Sequence, residues 1–187
     1  MSNQHTDPEL TLWAVGDGGS AEAQRYTRIV NKHPGEHYDQ GALYVSVHYE
    51  PHGVCAAIVP FHGPQVHTGC KVAPAIAAGN TTVLKPSEQA PLTLMRIMDL
   101  VSEILPKNVC RSPSSNILGQ NGFSFTGSLP VSTKIAGVVG KSTKSIILKL
   151  GDKNVLVIFD AIDLDRVLPV AIEGAFFDNC YACTDTS

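Results

Sequence analysis

No apolar run in this sequence approaches the roughly 20 residues that a bilayer-spanning helix needs, and residues 1–10 lack the basic segment and apolar stretch of a secretory signal. A soluble, non-secreted protein is expected. Long blocks of one charge are missing too: with a formal net charge of −3 and 17% charged residues, the chain offers no electrostatic footprint for nucleic acid or an anionic membrane. A disulfide framework is absent, because Cys55, Cys70, Cys110, Cys180 and Cys183 are an odd number at irregular spacing. Free thiols in a reducing, cytoplasmic compartment are the simpler expectation. Cys180 and Cys183 form a Cys-x-x-Cys pair without a second pair, and His48, His52, His62 and His67 have no ligand spacing. No metal site is expected. What remains is 187 residues, 43% of them hydrophobic, enough for one ordinary globular core and suited to a small-molecule partner.

Hydrophobic periodicity gives the architecture. Residues 1–20 are polar and Gly-containing and read as a poorly ordered leader. A helix is expected over 21–32, then an alternating strand over 43–49. The wholly apolar run 54–59, closed by Pro60, reads as a strand buried on both faces of a parallel sheet. An Ala-rich helix over 68–78 ends at Gly79-Asn80, and a second apolar strand follows at 81–85. The next helix covers 91–104, with Leu92, Leu94, Met95, Ile97, Met98 and Val101 on its apolar side. Residues 111–122 are polar and turn-forming where a crossover helix would stand, and barely long enough to join parallel strands. A helix at 129–139, strands at 146–150 and 155–159 and a helix at 164–177 complete an α/β pattern. The negative charges of Asp163 and Asp165 suit the start of that last helix.

Five segments then become recognisable: Glu50-Pro51-His52-Gly53-Val54, the run 71–81 from Lys71 through Gly79-Asn80-Thr81, Lys85-Pro86-Ser87-Glu88, Phe125-Thr126-Gly127-Ser128 and Asp163-Leu164-Asp165. In order and approximate spacing they resemble the successive signatures of the aldehyde dehydrogenase superfamily, from about residue 22 to 184. The resemblance implies an incomplete Rossmann-like parallel sheet flanked by helices, followed by the first strand and helix of the catalytic domain. It divides the chain into a leader (1–20), a partial NAD-binding domain (21–153) and the start of a truncated catalytic domain (154–187).

The resemblance also assigns residues. Lys85, Ser87 and Glu88 would meet the cofactor ribose, and Glu88 would repel a 2′-phosphate, which favours NAD over NADP. Gly127 and Ser128, at a strand-to-helix junction, would meet the pyrophosphate. Family chemistry oxidises an aldehyde with NAD and water to a carboxylic acid and NADH through a cysteine thiohemiacetal, and the nucleophile maps to Cys183. Residues 178–181 depart from the family loop before it. His62 stands where the family has an oxyanion-stabilising Asn. Lys149, in Lys149-Leu150-Gly151-Asp152-Lys153, stands where the family has a general-base Glu. A protonated lysine cannot take a proton from water as a carboxylate does, so impaired or absent turnover is expected. Two alternatives remain: a non-catalytic dinucleotide-binding subunit, partnered with a full-length paralogue, and a piece of a complete enzyme.

Overall fold

The computed structural model describes residues 24–176 except 27, 31, 33, 34, 114–116, 152, 153 and 161. The predicted leader therefore lies outside the described residues. Helical turns occupy 24–26 and 28–30, within the predicted first helix. Two short strands, β1 (Glu36–Asp39) and β2 (Tyr44–Val47), then form an antiparallel ribbon. β1 was not foreseen, since its residues carry no apolar alternation.

Five parallel strands make the main sheet. β3 (Val54–Ile58) leads through helix α1 (Pro64–Ala77) to β4 (Thr81–Lys85), and helix α2 (Pro91–Ile104) leads to the two-residue β5 (Cys110–Arg111). A 3₁₀ turn (Ile117–Gly119) precedes β6 (Gly122–Gly127), helix α3 (Leu129–Gly140) and β7 (Ser145–Leu150). The spatial order is β5-β4-β3-β6-β7. The chain thus builds outward from β3 on one side, then returns to add β6 and β7 on the other.

Why β3 lies in the middle is visible in its burial. Ala56 and Ala57, which point to opposite faces, are both almost fully buried, as expected for a strand covered on both sides. On one face Ala57 packs with Val72 and Ile76 of α1, Leu84 of β4, and Leu94, Ile97 and Val101 of α2. On the other, Ala56 and Phe123 pack against Val139 of α3, with Ile135 and Ile146 beside them.

Helix α1 starts a turn earlier than the apolar pattern suggested. Gly63 takes a left-handed φ of 50° and Pro64 opens the helix, where its missing N–H costs nothing. At the other end Asn80 ties the helix to the sheet. Its Oδ1 accepts from Gly53 N at 3.0 Å and its Nδ2 donates to Ala75 O at 3.0 Å.

One expected strand is corrected. Residues 155–159 form no strand among the described residues, and Val155 and Phe159 are about three-quarters exposed. A wholly apolar run forms a strand only where a neighbour takes up its hydrogen bonds, and no strand among the described residues does so. The final helix α4 (Leu164–Phe176) matches expectation, and Asp163 Oδ1 accepts from Asp165 N at its start. No α4 residue is buried.

Candidate functional site

In an open parallel sheet, ligands sit outside the carboxyl ends of the strands where the strand order reverses. Here that place lies between β3 and β6. Register puts Ile58 beside both Lys85 and Phe125, so β3, β4 and β6 end nearly level. The residues singled out in the sequence emerge just there: His62 after β3, Lys85, Ser87 and Glu88 at the end of β4, Gly127 and Ser128 at the end of β6, and Lys149 near the end of β7.

The turn after β4 presents an exposed carboxylate. Lys85 Nζ lies 3.5 Å from Glu88 Oε2 and donates to Pro86 O at 3.2 Å. Glu88's own backbone N–H, and then the Lys85 ammonium, hold its carboxyl below the ordinary carboxylate value. Ser87 Oγ accepts from Gln89 N at 3.3 Å and so shapes the turn.

At the end of β6 the chain passes directly into α3. Ser128 stands at the helix entry with no side-chain capping bond, while its carbonyl accepts from Ser132 N at 3.0 Å. Gly127 has a steric reason: a Cβ there would lie 2.7 Å from Phe125 Cζ, and Phe125 is a core residue. Backbone alone fits, leaving a smooth approach to the first-turn N–H groups and the positive end of the helix.

His62 is engaged rather than open. Its ring meets Phe61 and His67 edge-on, and its Nε2 lies 3.4 Å from His67 Nε2. Burial first, then the nearby His62 and Lys71 charges, push the His67 imidazole down to about 4. Sequence reasoning gave His67 no role; its only signal was a position five residues after His62, across the turn into α1. Lys71 was also missed as a site residue. It points from α1 onto the sheet, where Nζ donates to Ser124 Oγ at 2.8 Å.

Lys149 pairs in register with Thr126 and is exposed at the outer edge of the described sheet. Cys183, with the loop 178–181 before it, lies outside the described residues, as do Asp152 and Lys153. The structure thus gathers the cofactor candidates, His62 and Lys149 at one edge. Among the described residues no three His, Cys, Asp or Glu side chains group as a metal site, and no helix is long and apolar enough to cross a membrane.

The aldehyde dehydrogenase family model matches residues 18–187. The chain belongs to the aldehyde dehydrogenase family. Aldehyde dehydrogenase citD of Monascus ruber is 44% identical over 169 residues, which cover 85% of this chain and 34% of that protein. Aldehyde dehydrogenase, cytosolic 1, of Mus musculus is 35% identical over 159 residues, covering 79% and 32%. A structure of Bacillus cereus aldehyde dehydrogenase in complex with NAD+ superposes with a TM-score of 0.83 at 26% identity, over 91% of this chain and 37% of that one. This aldehyde dehydrogenase chain therefore spans about a third of the length of the relatives it matches.

Proposed function

We propose that this chain is an NAD-binding portion of an aldehyde dehydrogenase, with aldehyde oxidation impaired by Lys149. The observation that carries the reading is the pairing of an exposed carboxylate at the end of β4 with an uncapped helix entry at the end of β6, on either side of β3. Strands about 4.8 Å apart separate these two features by two spacings, so one dinucleotide can meet both.

The residues fit that cofactor. Glu88 accepts from ribose hydroxyls and Lys85 steadies it; Ser87 holds the turn that presents them. Gly127 and Ser128 leave the first-turn N–H groups of α3 open to a pyrophosphate, in keeping with the steric demand for glycine. A negative Glu88 disfavours a 2′-phosphate, so NAD is preferred to NADP. The bound cofactor would accept hydride from the aldehyde-derived adduct on Cys183. His62, held against His67, would donate to the developing oxyanion from a ring of different reach and shape than a side-chain amide. At Lys149 an ammonium stands where proton removal from water is required, and thioester hydrolysis stalls.

A second reading is favoured by the exposed apolar surface of the 155–159 segment and α4, including Val155, Phe159, Val170 and Phe176. Such a surface suits a non-catalytic subunit covered by a full-length paralogue.

Calorimetric titration of NAD into the purified chain, beside a Glu88→Ala variant and an aldehyde turnover assay, tests the proposal. Saturable NAD binding, weakened at least tenfold in Glu88→Ala and without NADH production, is the expected result. Absence of binding overturns the cofactor reading, and NADH production abolished by Cys183→Ala overturns the impairment.

A further inference from the structure

A cavity of about 230 Å³ lies on the α1 side of the sheet, against β6 and β7. Cys55, Cys70, Lys71, Pro74, Ser124 and Ile147 are among its walls, and among the described residues no aspartate or glutamate lines it. Strand register explains the opening. Cys55, Gly122 and Ser145 form one row across the sheet, and Ala57, Ser124 and Ile147 form the next. Helix α1 covers the β3 end of these rows, but Ile147 at the β7 end is 67% exposed. The space is smaller than a drug-sized pocket of 300 Å³ or more and suits a short ligand.

Among the described residues, Lys71 is the one lysine or arginine in its walls. The side chain is half-buried, and Nζ donates to Ser124 Oγ at 2.8 Å. Among the described residues no carboxylate lies within ion-pair distance of it. A lysine that donates to a hydroxyl, without an anion to fix its charge, keeps the nitrogen lone pair unshared once the ammonium loses its proton. The remaining titratable neighbours do not hold that charge in place: His67, one turn earlier on α1, is neutral at pH 7, and burial keeps Cys55 protonated. Cys70 alone favours the ammonium, and burial outweighs it, bringing Lys71 down to about 8.

We propose that Lys71 is a reactive amine that captures short apolar aldehydes in this cavity as imines. The neutral Nζ adds to the carbonyl carbon, and the C=O π pair moves to oxygen, which takes up a proton. The resulting carbinolamine loses its hydroxyl as water while nitrogen gives up a proton, forming the C=N bond. Ser124 Oγ, already bonded to Nζ, passes the proton between nitrogen and oxygen. No oxidant or cofactor takes part, so this site is independent of NAD and of Cys183.

The test uses propanal and sodium cyanoborohydride at pH 7.4 without NAD, with alkylation at each lysine followed by peptide mass spectrometry. A lysine near 8 carries on the order of a hundredfold more free amine at this pH than one near 10.4. Lys71 is expected to be alkylated at least tenfold faster than exposed Lys107 and Lys141, with a pH midpoint near 8. Ser124→Ala slows alkylation at Lys71 severalfold and leaves Lys141 unchanged; Lys71→Arg removes the fast adduct from the intact mass. Alkylation of Lys71 no faster than Lys141, whether in a folded or an unfolded chain, overturns the proposal. Failure of NAD to bind in calorimetry leaves this outcome unaffected, so the two readings fall separately.

Discussion

Thr126 and Lys149 are register partners across β6 and β7, yet Thr126 is 6% exposed while Lys149 is solvent-exposed on the outer strand of the described sheet. The same row therefore holds a fixed residue and a replaceable one. Exposed substitutions usually change stability by less than about 0.5 kcal/mol. Lys149→Glu should still fold, and its melting temperature is measured beside its turnover so that a change in chemistry is read against any change in stability. Aldehyde turnover higher in Lys149→Glu than in the parent is the expected outcome; equal rates in a comparably stable variant would show that this position limits nothing.

Gly127→Ala places a methyl carbon against the buried ring of Phe125. Overpacking of this kind costs about 1–3 kcal/mol. Thermal melting should record that loss, and NAD affinity should fall with it because the helix entry shifts. An unchanged melting temperature would mean that the ring moves freely and the steric reading of Gly127 is wrong.

Asn80→Ala removes a side chain that satisfies Gly53 N and Ala75 O together. Ala75 O keeps the backbone N–H of residue 80 at 2.9 Å, so the loss falls on Gly53 N, and a polar group left without its partner costs about 1–3 kcal/mol. Urea unfolding should show a lower midpoint with an unchanged m-value, and Asn80→Asp should recover only the bond from Gly53 N, since a carboxylate cannot donate to Ala75 O.

His67 sets a pH dependence whose sign is fixed by its neutral folded state. Between an unfolded value near 6.5 and a folded value of about 4, the unfolded chain binds the extra proton. The parent should therefore lose stability as pH falls through this window, by at most about 2 kcal/mol once solvent screening of a half-buried ring is allowed for. His67→Gln should flatten the slope of stability against pH between 4 and 6.5. Identical slopes in the two proteins would remove His67 from the account.

Legibility in the sequence followed the number of constraints on each segment. The strand 81–85 and helix 91–104 were readable to the residue, because an apolar run with both faces covered and a one-sided helical stripe leave little choice. Helix α1 was read from 68 because its first turn holds Pro64, Gln65 and His67, which carry no apolar period; its start is set by the backbone of Gly63. Residues 155–159 misled, since a continuous apolar run records hydrophobicity but cannot supply a partner strand among the described residues. Among the site residues, motif order was enough to locate Lys85, Glu88, Gly127 and Ser128 along one sheet edge. The contacts of Lys71 with Ser124 and of His62 with His67 were not readable, because they depend on the angle at which α1 lies across the sheet.

The return from β5 to β6 also has a kinetic side. During synthesis β3, α1, β4 and α2 can assemble as a local unit, but the far flank of β3 stays open until β6 emerges. Non-local pairing of this kind slows folding, and an open apolar strand edge invites mispairing in the interval. The half-built sheet is thus the species that a chaperone would meet on the ribosome, and it is shielded only when Phe123 and Val139 close over Ala56.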